Sequence, residues 1–524
     1  MHSTHPFLQR HAADVLGMIS GFDRLRLRGT LRLIANAAGM QTFLSRAGVL
    51  LKDFAHYVEA VTARVKQATE GVATAAHRPV LYLARPSTDK EAMARAIAER
   101  DGIRAGLICT LKSVEVCWSY DIHRNRATKQ LDLVPASRKC LHYYHYLVHP
   151  ELGFLHVRLQ SWFPFTMHVC LNGREWLARQ LDAAHLGYRR RGNCFVWLGD
   201  AAATRRLCDR QLRTAWEPLL NGLMAQVHPA HDALRFAGDP LRYYWSVEQS
   251  EWASDVLFAD ARRLDALYPA LVAQAMAGLG SRDAMRFLGK RVPAVGIDGR
   301  FAGEVVSDLV ARPEGVRVKH RVNGNAIKMY NKQGSVLRVE TVINQARDLT
   351  VYRPKEGDPE GAKDWRYLRK GIADLWRRAE LSDRANERYL AAMAAVDEPT
   401  PLGTLSQPLC RRVRYRGQPV RALNPFGAED AALLAAIHRG EFLISGFRNR
   451  DLRGVLYGDA ARDAATARRR SAAVTRKLRM LRAHGLIHKV SRTHRYLLTP
   501  KGQVVVAALL AARQANTATL AAAA

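Results

Sequence analysis

Apolar and polar positions follow strand or helix periods along nearly the whole chain, which predicts alternating β and α elements. Val15–Leu33 alternates as a strand pair or as a strand leading into a helix. Residues 43–70 place Leu44, Leu51, Phe54, Val58, Val61 and Val65 at helical spacings. Val80–Leu83 then reads as a short strand, Asp89–Arg100 as a charged helix and Leu107–Tyr120 as β-rich. Residues 140–171, dense in aromatic and β-branched side chains, predict several strands. Asn172-Gly173 supplies a turn before a helix that starts near Arg174. The pattern from 174 to 290 is mainly helical, broken at Gly192, over His228–Pro240 and at Pro269. Strand character returns between Phe301 and Tyr352, and a helix follows over Asp364–Val396. Residues 397–428 hold five prolines and Arg411, Arg412, Arg414, Arg416 and Arg421, the composition of a basic linker. Residues 428–504 run helix, helix, helix, hairpin, helix. The expected class is α+β and multi-domain: a mixed-sheet body (1–173 and 291–396) with a helical insertion (174–290), the linker, and a C-terminal domain over 429–524.

Charge narrows the class of partner. The chain of 524 residues has 80 Lys and Arg against 48 Asp and Glu, a net charge of +32. Such an excess is far beyond what solubility requires and predicts a polyanionic partner. Residues 401–524 alone carry 22 Lys and Arg against 6 Asp and Glu, half of that net charge. No basic amphipathic helix or lipidation motif favours a membrane surface, and no run of apolar residues approaches a membrane span. The seven cysteines include no C-x-x-C pair and read as reduced thiols of a cytoplasmic protein.

Within the C-terminal region, Ala465–His484 predicts a helix closed by Gly485. Ala467, Ser471, Val474, Leu478 and Leu481 fall on one side of it, and Arg469, Ala472, Arg476 and Arg479 on the other. The stretch Gly485–Gly502, GLIHKVSRTHRYLLTPKG, resembles the helix end, wing and final-helix start of winged-helix regulators of the MarR type. The resemblance covers about 75 residues. It implies a C-terminal winged helix whose Ser471–Arg482 segment is a recognition helix in the major groove of duplex DNA. Arg468, Arg469, Arg476 and Arg479 would then face the nucleic acid, with Arg492, His494 and Arg495 on the wing near phosphates or the minor groove. A winged helix used for protein contact is the alternative.

Two strands, Asn325–Lys332 (NAIKMYNK) and Val336–Ile343 (VLRVETVI), are joined by a tight turn at Gln333-Gly334. Lys328, Tyr330 and Lys332 share one face of the first strand, and Arg338 and Glu340 share a face of the second. The segment resembles a stretch in rolling-circle replication initiators of small plasmids, where an I-Y-N-K strand precedes a W-R-V-E strand. Gly21–Arg28, GFDRLRLR, is similar to the I-D-Y-V-R-V strand that opens those proteins. The resemblance implies that Asp23 and Glu340 help to hold Mg²⁺ or Mn²⁺ and that Tyr330 attacks a DNA phosphate. Lys328, Lys332 and Arg338 would hold the scissile strand. The structural alternative for Glu340 is a salt-bridged strand residue, paired with Arg338 or Lys328. His142 and His145, three residues apart on a strand, point to opposite faces and read as aromatic-cluster members.

The chain lacks a G-x-x-x-x-G-K-S/T loop, a G-x-S-x-G elbow and an H-E-x-x-H motif, which removes the ATPase, α/β-hydrolase and zinc-protease classes. Two functions remain. One is a mobile-element DNA-processing protein that nicks and joins DNA; the other is a non-enzymatic winged-helix regulator or an RNA-binding protein.

Overall fold

The computed structural model describes residues 5–233, 235–236, 239–277, 279, 281–288, 305–312, 315–355, 357–358, 360–362, 364–394, 402–439, 442, 446–458, 463–490 and 493–514. The class is α+β. The chain forms two compact units, each discontinuous in sequence: one comprises Gly17–Asp255 and Glu340–Asp383, the other Met1–Leu16, Val256–Val339 and Arg384–Ala524.

The strands, in chain order, are β1 (Val15–Leu31), β2 (Val80–Tyr82), β3 (Gly106–Arg124), β4 (Leu131–His149), β5 (Gly153–Gln160), β6 (Met167–Asn172), β7 (Tyr188–Arg191), β8 (Cys194–Leu198), β9 (Arg235–Phe236), β10 (Asp239–Pro240), β11 (Tyr243–Phe258), β12 (Val305–Arg312), β13 (Gly315–Val322), β14 (Asn325–Lys332) and β15 (Val336–Ile343).

In the unit of Gly17–Asp255 and Glu340–Asp383 the sheet order is β15-β11-β1-β6-β5-β4-β3-β2. β3 through β6 pair antiparallel, as do β1 and β6, whereas the short β2 runs parallel to β3. The helix Lys90–Arg100 covers the far end, where Ala94 and Ile97 pack with Leu83, Ile108, Leu111 and Tyr146. His142 and His145 lie on opposite faces of β4. His145 stacks with Tyr143 and meets the Thr110 hydroxyl at 3.0 Å.

The region expected to be mainly helical, 174–290, includes the hairpin β7–β8 and the 16-residue strand β11. From Ser250 to Phe258 every β11 side chain is buried, so no hydrophobic–polar alternation marks that half as a strand. Val15–Leu31 is one long strand leading into the helical turn Leu33–Ala35 and the helix Ala37–Arg46, the second of the two expected readings.

In the other unit, β12, β13 and β14 are joined as consecutive hairpins. Gln333 and Gly334 both have positive φ, 55° and 75°, the conformation a tight hairpin turn demands. The C-terminal residues have their own core: Leu433, Leu434, Ile437, Leu452, Val474, Leu478, Leu481, Val505 and Leu509 are among its buried members. Leu409, Val420 and Leu423 belong to the same core, and Arg421 clamps Asp430 through both carboxylate oxygens at 2.6 and 2.7 Å. The segment read as a linker is thus packed along its second half, because its apolar residues sit between the arginines at positions that meet the helices.

Candidate metal centre and nucleic-acid interface

Neighbouring strands β15, β11 and β1 each contribute one carboxylate to a single point: Glu340, Glu251 and Asp23. Adjacent strands are about 4.8 Å apart, so side chains from three of them converge without backbone distortion. One oxygen from each carboxylate lies within 4.8 Å of the other two. All three residues are buried, at 6% (Asp23), 8% (Glu251) and 3% (Glu340) relative exposure.

The surrounding shell is polar. Asn172 ends β6 opposite Arg24 and caps the helix Gly173–Ala183, its Oδ1 accepting from Arg174 N at 2.8 Å. Gly173 is required there, because a Cβ would fall 2.0 Å from the Phe22 carbonyl oxygen. This close approach sets Arg174 beside Asp23. The Arg174 side chain is 1% exposed; its Nη2 is 3.0 Å from Asp255 and donates to the Ala253 carbonyl at 3.1 Å, while its Nε lies 3.8 Å from Asp23 Oδ1. That Nε has no hydrogen-bond partner. The hairpin tip at Gly192, with φ of 56°, presents Asn193, whose amide donates to Asp23. Gln249 donates to Glu251 at 3.1 Å. Burial alone would lower the Arg24 pKa, but Glu251, Asp23, Glu91 and Glu340 carry it above the ordinary guanidinium value.

Three carboxylates held this closely in a buried place repel one another strongly. Oxygen-only donors of this kind suit a hard divalent cation, which would relieve that repulsion.

The structure thus brings the expected pair, Asp23 and Glu340, together and adds Glu251, which sequence reasoning missed because β11 was read as part of a helical region. Tyr330, Lys328 and Lys332 lie on one face of β14 in the other unit. Arg317 stands opposite Tyr330 and Lys319 opposite Lys328. Burial, followed by Lys328 and Arg317, lowers the Lys319 pKa, as expected of crowded cations. Tyr330 is buried at 8% exposure, and Lys332 Nζ lies 5.2 Å from its ring centroid. Arg338 corrects an expectation: it is fully buried in β15 and offers no guanidinium to an incoming strand of nucleic acid.

The C-terminal helix Ala464–Ala483 buries Val474, Leu478 and Leu481 and leaves Arg468, Arg469, Arg476 and Arg479 exposed. Asn449 fixes its angle by donating to the Ser471 carbonyl and to Thr475 Oγ1, each at 3.0 Å. Gly485, φ 72°, ends it, and the strands Ile487–Lys489 and Tyr496–Leu498 form the following hairpin, with Phe447 bridged to Tyr496. His494 is exposed and Arg495 partly so; Arg492 lies outside the described residues. No described helix is long and apolar enough to cross a membrane. No family model, curated protein or solved structure matches this chain, so the geometry of these two regions carries the functional reading.

Proposed function

We propose that this protein binds DNA and cleaves its phosphodiester backbone at the Asp23–Glu251–Glu340 centre. The convergence of three buried carboxylates from adjacent strands carries this reading. Mg²⁺ or Mn²⁺, when bound, supplies the positive charge that offsets charge building on the phosphate. Asp23, Glu251 and Glu340 would hold the cation, and Asn193 and Arg174 orient Asp23.

The proposal gives the C-terminal region the winged-helix role, with Arg468, Arg469, Arg476 and Arg479 approaching duplex DNA. Their one-sided exposure on a helix whose opposite face is buried favours this.

Incubation of the full-length protein with supercoiled plasmid and Mg²⁺ or Mn²⁺ tests the reading, since a single nick changes topology. Relaxation by wild type and its loss in Glu340→Gln and Glu251→Gln, with duplex affinity retained, is the expected result. Absence of any metal-dependent change in plasmid or single-stranded DNA leaves a non-enzymatic DNA-binding protein.

A further inference from the structure

We infer that single-stranded DNA lies along the exposed face of β1, with its phosphates on Arg26 and Arg28 and an unpaired base on the Arg32–Tyr244 stack. The inference goes beyond the phosphodiester reading above, since Asp23 lies on the opposite face of β1 with the buried Leu25 and Leu27. Arg24, Arg26 and Arg28 occupy even positions on β1, so the strand's two-residue period sends them to one face, and Arg32 follows the strand at the start of a helical turn. Successive members from Arg24 to Arg28 are about 6.8 Å apart, comparable to the separation of phosphates in an extended nucleic-acid strand.

Each position has a feature that suits this occupant. Arg24 is exposed at the head of the row. The Arg26 side chain is 52% exposed, and the half-exposed Glu248 lies 3.8 Å away. Arg28 has a buried Nε without a hydrogen-bond partner. It begins a cross-strand row with His168 on β6 and Arg158 on β5. Arg158 is 3.0 Å from Glu115, and Glu248 is 3.6 Å from His168, so two carboxylates face three guanidinium groups along this stretch. Burial lowers the His168 pKa, with Arg158 and Arg28 adding to the effect and Glu248 opposing it. At the far end the Arg32 guanidinium sits 3.4 Å from the ring centroid of the exposed Tyr244.

A phosphate chain complements this excess of cations. The platform selects single-stranded DNA over duplex, because a base inside a duplex has both faces covered by its neighbours and cannot stack on a protein ring.

The test is fluorescence anisotropy of a labelled single-stranded DNA oligonucleotide with full-length protein in EDTA, where no cleavage intervenes, over a series of salt concentrations. Arg26→Ala/Arg28→Ala should weaken binding about tenfold and lower the log–log salt slope by about 1.4, from two lost phosphate contacts at about 0.7 each. Arg26→Lys/Arg28→Lys should keep the slope, which separates charge loss from damage to the fold. Tyr244→Ala should weaken binding about tenfold with the slope unchanged. An unchanged slope in the double alanine variant, an equal loss of duplex affinity, or tighter binding of an RNA of the same sequence overturns the inference. If wild type relaxes plasmid but the slope does not move, the track fails and the catalytic reading stands; the converse result removes the catalytic reading and keeps the track.

Discussion

Replacing Glu340 with glutamine should make the metal-free protein more stable and its metal-bound form less so. Two unit charges 4.8 Å apart repel by about 3.5 kcal/mol at an effective dielectric of about 20. The carboxylates of Asp23, Glu251 and Glu340 form three such pairs, and Glu340→Gln removes two of them, roughly 7 kcal/mol of gross repulsion. Part of that gain is cancelled, since Glu340 also attracts Arg24. A net stabilisation of about 1–3 kcal/mol in EDTA is expected, which raises Tm by roughly 3–10 °C for a domain of this size. Saturating Mn²⁺ reverses the order, because a ligand at about 100 times its Kd stabilises the native state by about 2.7 kcal/mol, and glutamine lacks the charge that holds it. Thermal melts by circular dichroism, run in EDTA and over a Mn²⁺ titration, measure both arms. Should Glu340→Gln melt below wild type in EDTA while wild-type Tm ignores Mn²⁺, Mg²⁺ and Ca²⁺, the carboxylates are a structural cluster and the electrostatic argument is wrong.

Acid should destabilise the body through its buried histidines. Burial pushes His145 and His142 down to about 4 and His228 to about 3, with His231 and His145 adding to the shift at His228. These rings are neutral when folded and protonated when unfolded, so their stabilisation is fully present above about pH 6.5 and is lost as pH falls toward 4, at about 1.36 kcal/mol per pH unit for each. Urea midpoints at pH 7, 6 and 5 should drop accordingly, and His228→Gln should flatten the trend; a pH-independent midpoint contradicts the assignment. In the C-terminal region, Arg469→Ala/Arg476→Ala/Arg479→Ala should lower the salt slope for duplex binding by about 2.7, from three lost contacts at about 0.9 each, and an unchanged slope would move the interface elsewhere. Asp430→Asn should cost about 1–3 kcal/mol, because its carboxylate accepts from Arg421 twice and from Asn424 N at 2.8 Å. Urea unfolding followed by tyrosine fluorescence would read the loss.

What the sequence made legible depended on whether one face of an element meets water. β14 and the turn at Gln333-Gly334 were expected with their observed bounds, since Lys328 and Lys332 alternate with the buried Ile327 and Met329. The C-terminal helix was readable for the same reason: Val474, Leu478 and Leu481 mark its inner side and the arginines its outer side. β11 was not, because Trp252, Ala253, Ser254 and Asp255 are all buried and give no period. That one missed strand concealed Glu251, so a centre of three carboxylates was visible only as the pair Asp23 and Glu340.

Charged residues divide by the same rule, with less help from pattern. Arg24, Arg26 and Arg28 alternate with Leu25 and Leu27, and an exposed basic row follows directly from that spacing. Arg174 and Arg338 carry the same side chain, yet both are buried, and nothing local separates them from surface arginines. Arg174 is inside because Gly173 lets the helix start touch the Phe22 carbonyl, a contact between segments far apart in the chain. The wall of the proposed centre therefore depends on a glycine. Gly173→Ala should displace Arg174 from Asp23 and weaken Mn²⁺ binding with all three carboxylates intact, and unchanged Mn²⁺ affinity in a folded Gly173→Ala variant would show that this contact does not position the site.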